Sequence, residues 1–235
     1  MLRKSLLILV LINFVACAEL QQIADNLPQG GEVLSNADIA AGLRQALDQG
    51  IDRQVSKLTQ TDGFFKNELV KILLPEELRK VDQGLRDIGL GNLADEGLKV
   101  LNRAAEDAVG EATPIFVNAV KGISFNDAKN ILLGEDNAAT EYLVSRTQTE
   151  LYNKFQPVIN QSFDKVGADQ IWSNLINKYN AIPFTNNVNP DLTDYVTKEA
   201  LSGVYTMIAV EEKEIRTTIS SRGTDLLRKV FALQD

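Results

Sequence analysis

The chain has 235 residues, with 24 Lys and Arg against 32 Asp and Glu, a formal net charge of −8 and no histidine. An acidic protein lacks the electrostatic footprint of a nucleic-acid binder. The absence of histidine removes Ser-His-Asp catalysis, histidine-ligated zinc or haem, and imidazole pH switching.

The N-terminus has the layout of a bacterial export signal: basic Arg3 and Lys4, an apolar run from Leu6 to Ile12, then Phe14-Val15-Ala16 before Cys17, the only cysteine. The run is shorter than the roughly 20 residues that span a bilayer, so a removable signal over 1–16 is expected rather than a membrane helix. A cysteine directly after the cut resembles the acyl acceptor of a lipoprotein. Ala16-Cys17-Ala18 also fits an ordinary secretory cut after Ala18, which would discard the thiol. If Cys17 is lipidated, the residue after it is Ala18 and not Asp, and the bacterial sorting rule implied by that resemblance sends the protein to the periplasmic face of the outer membrane. A soluble periplasmic protein is the alternative. Loss of Arg3 and Lys4 with the signal leaves 22 basic against 32 acidic residues, a net charge of −10. A lone cysteine forms no disulfide within the chain, so the fold relies on packing.

Residues 17–34 read as a tether, and 35–235 as a single all-α domain, a multi-helix bundle without a substantial sheet. Ser35 and Asp38 have capping-box spacing. Ile39, Leu43, Leu47, Ile51, Val55 and Leu58 then form one apolar stripe of a long helix, which Thr61-Asp62-Gly63 ends. Phe64 to Leu74 is apolar and fits either a loop or a short helix. Pro75-Glu76-Glu77 opens a helix with the stripe Leu78, Val81, Leu85 and Ile88. A helix over Leu93–Val109 carries Leu98, Leu101, Ala104, Ala105 and Ala108, and another follows over Ala112–Val120. Ser124 with Asp127 is a second capping box, opening a short helix that ends near Gly134. Helices are expected over Asn137–Asn153, Pro157–Val166 and Asp169–Tyr179, with Trp172, Tyr179 and Phe184 in the core. Residues 180–194 form a loop. A long helix over Thr193–Arg216 and a final one over Thr224–Phe231 close the chain.

Several blocks along this order resemble a bacterial family known as domain of unknown function 4197. They are Gly42-Leu43-Arg44-Gln45-Ala46-Leu47, Leu74-Pro75-Glu76, Asn102-Arg103-Ala104-Ala105-Glu106, Asp127-Ala128-Lys129, Ala138-Ala139-Thr140, Asp194-Tyr195-Val196-Thr197, Glu211-Glu212-Lys213-Glu214-Ile215-Arg216 and Thr224-Asp225-Leu226-Leu227. The resemblance spans about Ala40 to Phe231. It implies the fold and export, and it brings no activity with it.

No catalytic residue, metal site or cofactor is assigned. An enzyme lacking histidine and a free thiol would be left with carboxylate, lysine, tyrosine, serine and arginine; a hydrolase could use a carboxylate pair, for instance Glu106 with Glu212 or Asp127. Arg103 with Glu106, three apart, and Glu212 with Arg216, four apart, share helix faces; as surface ion pairs each contributes about 0.3–0.5 kcal/mol. The functional alternative gathers Arg103, Glu106, Arg146, Glu212, Arg216 and Arg222 in one cleft, where arginine grips a carboxylate or phosphate. Asp127 reads more simply as a cap. Asn187, Asn189 and Asp191 imitate the first ligands of an EF-hand, but Leu192 stands where glycine is needed and Lys198 where the closing Glu belongs. A looser cation site would use Asn186, Asp191 and Asp194. The expected function is an anchored binding or scaffolding module contacting an envelope protein or lipid. The alternatives are a carrier of an apolar ligand and a carboxylate-dependent hydrolase.

Overall fold

The computed structural model describes residues 34–74, 91–168 and 191–234, together with 79, 83, 86, 87, 89, 173, 177, 180, 181, 183, 187 and 189. The signal, Cys17, most of the tether, Pro75-Glu76-Glu77, the stripe Leu78–Ile88, Trp172, Tyr179, Phe184 and Asn186 lie outside the described residues. Contacts divide the chain into Met1–Ser35 and Asn36–Asp235, and every element below belongs to the second unit.

Among the described residues, seven α-helices run in chain order: α1 (Asn36–Leu58), α2 (Gly91–Val109), α3 (Ala112–Lys121), α4 (Phe125–Leu132), α5 (Ala138–Asp164), α6 (Leu192–Thr217) and α7 (Asp225–Phe231). A 3-10 turn over Ile219–Ser221 links the last two, and no strand occurs among the described residues. The protein is all-α. Helix α6 packs against α5, α1 and α2, while α1 also carries α3, α4 and α7. These two helices form the spine of the bundle.

The stripes expected from sequence are the ones that are buried. In α1, Leu43, Leu47, Ile51, Val55 and Leu58 face the core, and in α2, Leu98, Leu101, Ala104, Ala105 and Ala108 do. Two glycines allow close approach of neighbours. A Cβ on Gly42 would stand 2.7 Å from Val230 Cγ2 on α7, and one on Gly203 would stand 2.7 Å from the Phe64 ring. Phe116 of α3 meets Tyr205 of α6 edge to face at 5.9 Å, a favoured aromatic geometry.

Two expectations are corrected or decided. Pro157 does not separate two helices: α5 continues through it from Ala138 to Asp164. Proline in a helix interior costs about 3 kcal/mol. It sits on the exposed face, however, and Leu151, Phe155, Ile159 and Phe163 keep one buried stripe running past it. The segment from Phe64 to Leu74 is a series of turns followed by irregular chain, not a helix. Asn102, fully buried on α2, holds it as one peptide group would hold another. Its Oδ1 accepts from Ile72 N at 2.8 Å and its Nδ2 donates to Ile72 O at 2.9 Å.

Candidate functional site

The six polar residues singled out from sequence do not converge. They fall into three places, and in two of them the local chemistry is structural.

Arg103 and Glu106 sit on α2 below the turn that follows α1. The Arg103 guanidinium donates to Glu106 at 2.5 Å and to Asp62 at 2.6 Å. The other Glu106 oxygen accepts from Phe64 N at 3.1 Å. Asp62 holds a left-handed backbone, φ 69°, which Asp tolerates better than most residues. Its carboxyl lies below the ordinary carboxylate range because Lys66 hydrogen-bonds it and the charges of Lys66 and Arg103 add to that, against a smaller opposing effect of burial. Asp62 was not apparent from sequence, where it reads only as part of a helix stop. An arginine already held by two carboxylates has no free fork for an anionic ligand.

Glu212 and Arg216 lie on α6, with each side chain only 5% exposed and 2.8 Å between them. Both act on backbone. Glu212 accepts from Ala139 N and Thr140 N at 2.8 Å, and from the Thr140 hydroxyl at 2.8 Å. These are unpaired N–H groups of the first turn of α5. Arg216 donates to Ile131 O at 2.7 Å and to Leu132 O at 3.1 Å, at the end of α4. The pair thus satisfies the free groups of two helix ends at once and fixes the α4–α5 junction to α6. Arg222 is 2% exposed. It donates to Ile215 O at 3.1 Å and Arg216 O at 2.8 Å, with Phe231 below its guanidinium at 5.8 Å.

The first two places are separate. Glu106 grips Phe64, and Phe64 packs against Gly203. Glu212 is nine residues farther along α6, about 14 Å on the helix axis, and no hydrogen bond or ion pair joins the clusters among the described residues. Glu211 faces α1 instead, accepting from Arg53 and Gln54. Nothing in the run Glu211-Glu212-Lys213-Glu214 tells the first two acids apart. Adjacent helical residues point in different directions, and only the partner helices decide which meets what.

Arg146 is the third place. It lies on the outer side of α5, exposed, with its guanidinium 5.3 Å from the centre of the Tyr142 ring. A groove of about 260 Å³ between α3 and α5 takes in Ile115, Asn118, Tyr142, Arg146, Thr147 and Glu150. A larger open groove, about 600 Å³, runs beside the start of α6 and is lined by Gln156, Pro157, Asn160, Ser173, Asn177, Asp191 and Thr193. By contrast, the apolar hollow between α1 and α6, bounded by Leu43, Leu47, Ile51, Ile208, Ile215 and Phe231, has about 20 Å³ of free space.

The family model described as "Protein of unknown function (DUF4197)" matches residues 33–232. The chain belongs to this family. No curated protein and no solved structure matches it.

The remaining acidic candidates have structural work. Asp127 accepts from Ser124 N at 2.9 Å and from the Ser124 hydroxyl at 2.7 Å, while Ser124 Oγ accepts from Asp127 N. Those bonds hold the Asp127 carboxyl below its ordinary range, and the capping box read from sequence is present. Asp191 caps α6 through Asp194 N. Burial pushes the Asp194 carboxyl up, but hydrogen bonds from Lys198 and Tyr152 outweigh it and leave it below the ordinary range. The same bond to Asp194 pushes the Tyr152 hydroxyl up to about 12. With Tyr152, Asn189 and Lys198 on its oxygens, Asp194 has little left for a cation. No cluster able to hold a metal ion occurs among the described residues.

Proposed function

We propose that the protein is exported, held by lipid on Cys17 at the periplasmic face of the outer membrane, and binds another envelope component through its surface grooves. The observation that carries the binding reading is the contrast between interior and surface. About 20 Å³ between α1 and α6 has room for one water, whereas a drug-sized or acyl ligand needs about 300 Å³ or more. In the groove between α3 and α5, Asn118, Arg146 and Glu150 make no side-chain hydrogen bond among the described residues. The space between α1 and α6 gives no support to a carrier enclosing an apolar ligand there, although an open, mainly apolar hollow of about 360 Å³ lies beside Leu73, Leu74 and Leu98. Carboxylate hydrolysis needs two acids about 5–10 Å apart across a cleft. Glu106 and Glu212 each accept from backbone N–H groups of different segments, and Asp127 is a cap.

The anchor reading rests on the sequence around Cys17, and among the described residues no helix is long and apolar enough to cross a membrane. Each buried acyl methylene contributes about 0.8 kcal/mol, so two or more chains hold an acidic body that anionic lipid would repel. Cys17→Ser is expected to move the protein from the membrane to the soluble periplasmic fraction. Unchanged fractionation of that variant, with a wild-type mature terminus at Glu19, would overturn lipidation.

A further inference from the structure

The groove between α3 and α5 differs from the other charged places in one respect: its charged side chains, Arg146 and Glu150, and its amide, Asn118, make no hydrogen bond or ion pair among the described residues. Arg146 makes no ion pair or hydrogen bond among the described residues; its guanidinium lies against the Tyr142 ring, at 5.3 Å. Glu150 and Asn118 likewise make no side-chain hydrogen bond there, although both line the groove with Arg146. Arg146 and Glu150 stand four residues apart on one helix, the spacing at which opposite charges usually meet. They do not meet. Arginine N-terminal to glutamate is the less favourable order for such a pair, and Tyr142 draws the guanidinium the other way along α5.

The floor is rigid. The Thr147 hydroxyl donates to Leu143 O at 2.7 Å and shares a 2.8 Å hydrogen bond with Tyr205 of α6, and Ile115 is buried beside it. The Tyr142 ring, 5.3 Å from the guanidinium, restrains the Arg146 side chain, so less freedom is lost when its fork takes a carboxylate. A simple anion is nonetheless a poor occupant. Glu150 would stand beside it, and Asp127, already held by Ser124, lies within the field of Arg146. A ligand carrying both charges satisfies the groove.

Resting on the reading of the body as a binding module, we propose that this groove binds a zwitterion of amino-acid or short-peptide size, its carboxylate on Arg146 and its ammonium on Glu150. Asn118 supplies a donor and an acceptor for the peptide group between them. The free space, about 260 Å³, sits just below the usual range for drug-sized ligands and suits a small one.

The test is ligand-observed NMR titration of the full-length protein in detergent micelles with four probes: alanyl-alanine, N-acetyl-alanyl-alanine, alanyl-alaninamide and inorganic phosphate. Alanyl-alanine is expected to bind at least about tenfold more tightly than either capped form or phosphate, the loss of one charge-assisted contact. Arg146→Gln is expected to abolish binding of alanyl-alanine. Glu150→Gln should bring it down to the affinity of the acetylated form and should strengthen phosphate. Equal affinity for capped and free forms, phosphate binding as tightly as the dipeptide, no binding of any probe, or an unaffected Arg146→Gln would each overturn the proposal. Both positions are exposed, so the variants should fold; Tyr142→Leu, expected to weaken binding without changing probe preference, provides a third. Cys17→Ser leaves the groove untouched, so loss of anchoring and loss of ligand binding are read separately.

Discussion

Two pairs of arginine and glutamate, each spaced four residues apart on a long helix, have opposite fates in this molecule. Glu212 and Arg216 of α6 are buried, joined at 2.8 Å, and bonded to the free backbone groups of α4 and α5. Arg146 and Glu150 of α5 are exposed and unjoined. The spacing is the same; what differs is the order of the charges and what the neighbouring helices present. Where helix ends offered unpaired N–H and C=O groups, the charges became part of the framework. On the outer face there was nothing to satisfy, and the charges remain available.

The sharpest way to break this comparison is Glu212→Ala. It leaves Arg216 charged and buried, and it strips the partners from Ala139 N and Thr140 N. Removing one member of a buried pair costs about 3–5 kcal/mol, which urea unfolding of the protein should report as a lowered midpoint. Replacing both with hydrocarbon often restores stability in a simple buried ion pair. Here Glu212→Leu with Arg216→Met should remain destabilised, because the ends of α4 and α5 would still lack partners. Recovery to near wild type in the double variant would reduce the pair to an ordinary buried salt bridge.

How these fates relate to the sequence is instructive. The helices were legible wherever one apolar stripe met one neighbour: the buried run Leu43 to Leu58 of α1 and Leu98 to Ala108 of α2 follow helical spacing directly. The Ser124–Asp127 box was legible because a cap involves only residues three apart. Pro157 misled because the rule that proline ends a helix is local, while the buried residues on either side of it are held by α6 and α2. Most of the polar framework was not legible. The grip of Asn102 on Ile72, of Glu106 on Phe64, and of Glu211 on Arg53 and Gln54 all join segments distant in the chain. Spacing within a helix shows that two charges share a face, and it carries no information on what that face meets.

Ser124→Ala sharpens the comparison at an intermediate level, since the capping box is a framework device on an exposed surface. Loss of a serine N-cap costs about 1 kcal/mol, a shift of about 2–4 °C in melting temperature for a domain of this size. Its pH dependence has a definite sign. Asp127 has a carboxyl pKa lowered by the Ser124 hydrogen bonds, so its contribution is present above the ordinary carboxylate range and is lost as pH falls through the lowered value. The difference between wild type and Ser124→Ala should therefore be full at neutral pH and should shrink in acid. A difference that is constant from neutral pH to well below the carboxylate range would mean that the ionised Asp127 contributes nothing to the cap.

The smallest expected effect is the most discriminating. Arg146→Gln should leave stability within about 0.5 kcal/mol of wild type, as exposed substitutions away from a cap or buried network do. The guanidinium has the Tyr142 ring and its weak attraction to Asp127 to lose, and a cation near a surface aromatic contributes about 0.5–1 kcal/mol, part of which the glutamine side chain retains by packing on the same ring. The same substitution at Arg216 would expose the full cost of a buried carboxylate without its partner. If equilibrium unfolding finds Arg146→Gln as damaging as a change at Arg216, then Arg146 belongs to the framework too. The outer groove would then have no free cation to offer a ligand, and the difference between the two pairs would be one of exposure alone.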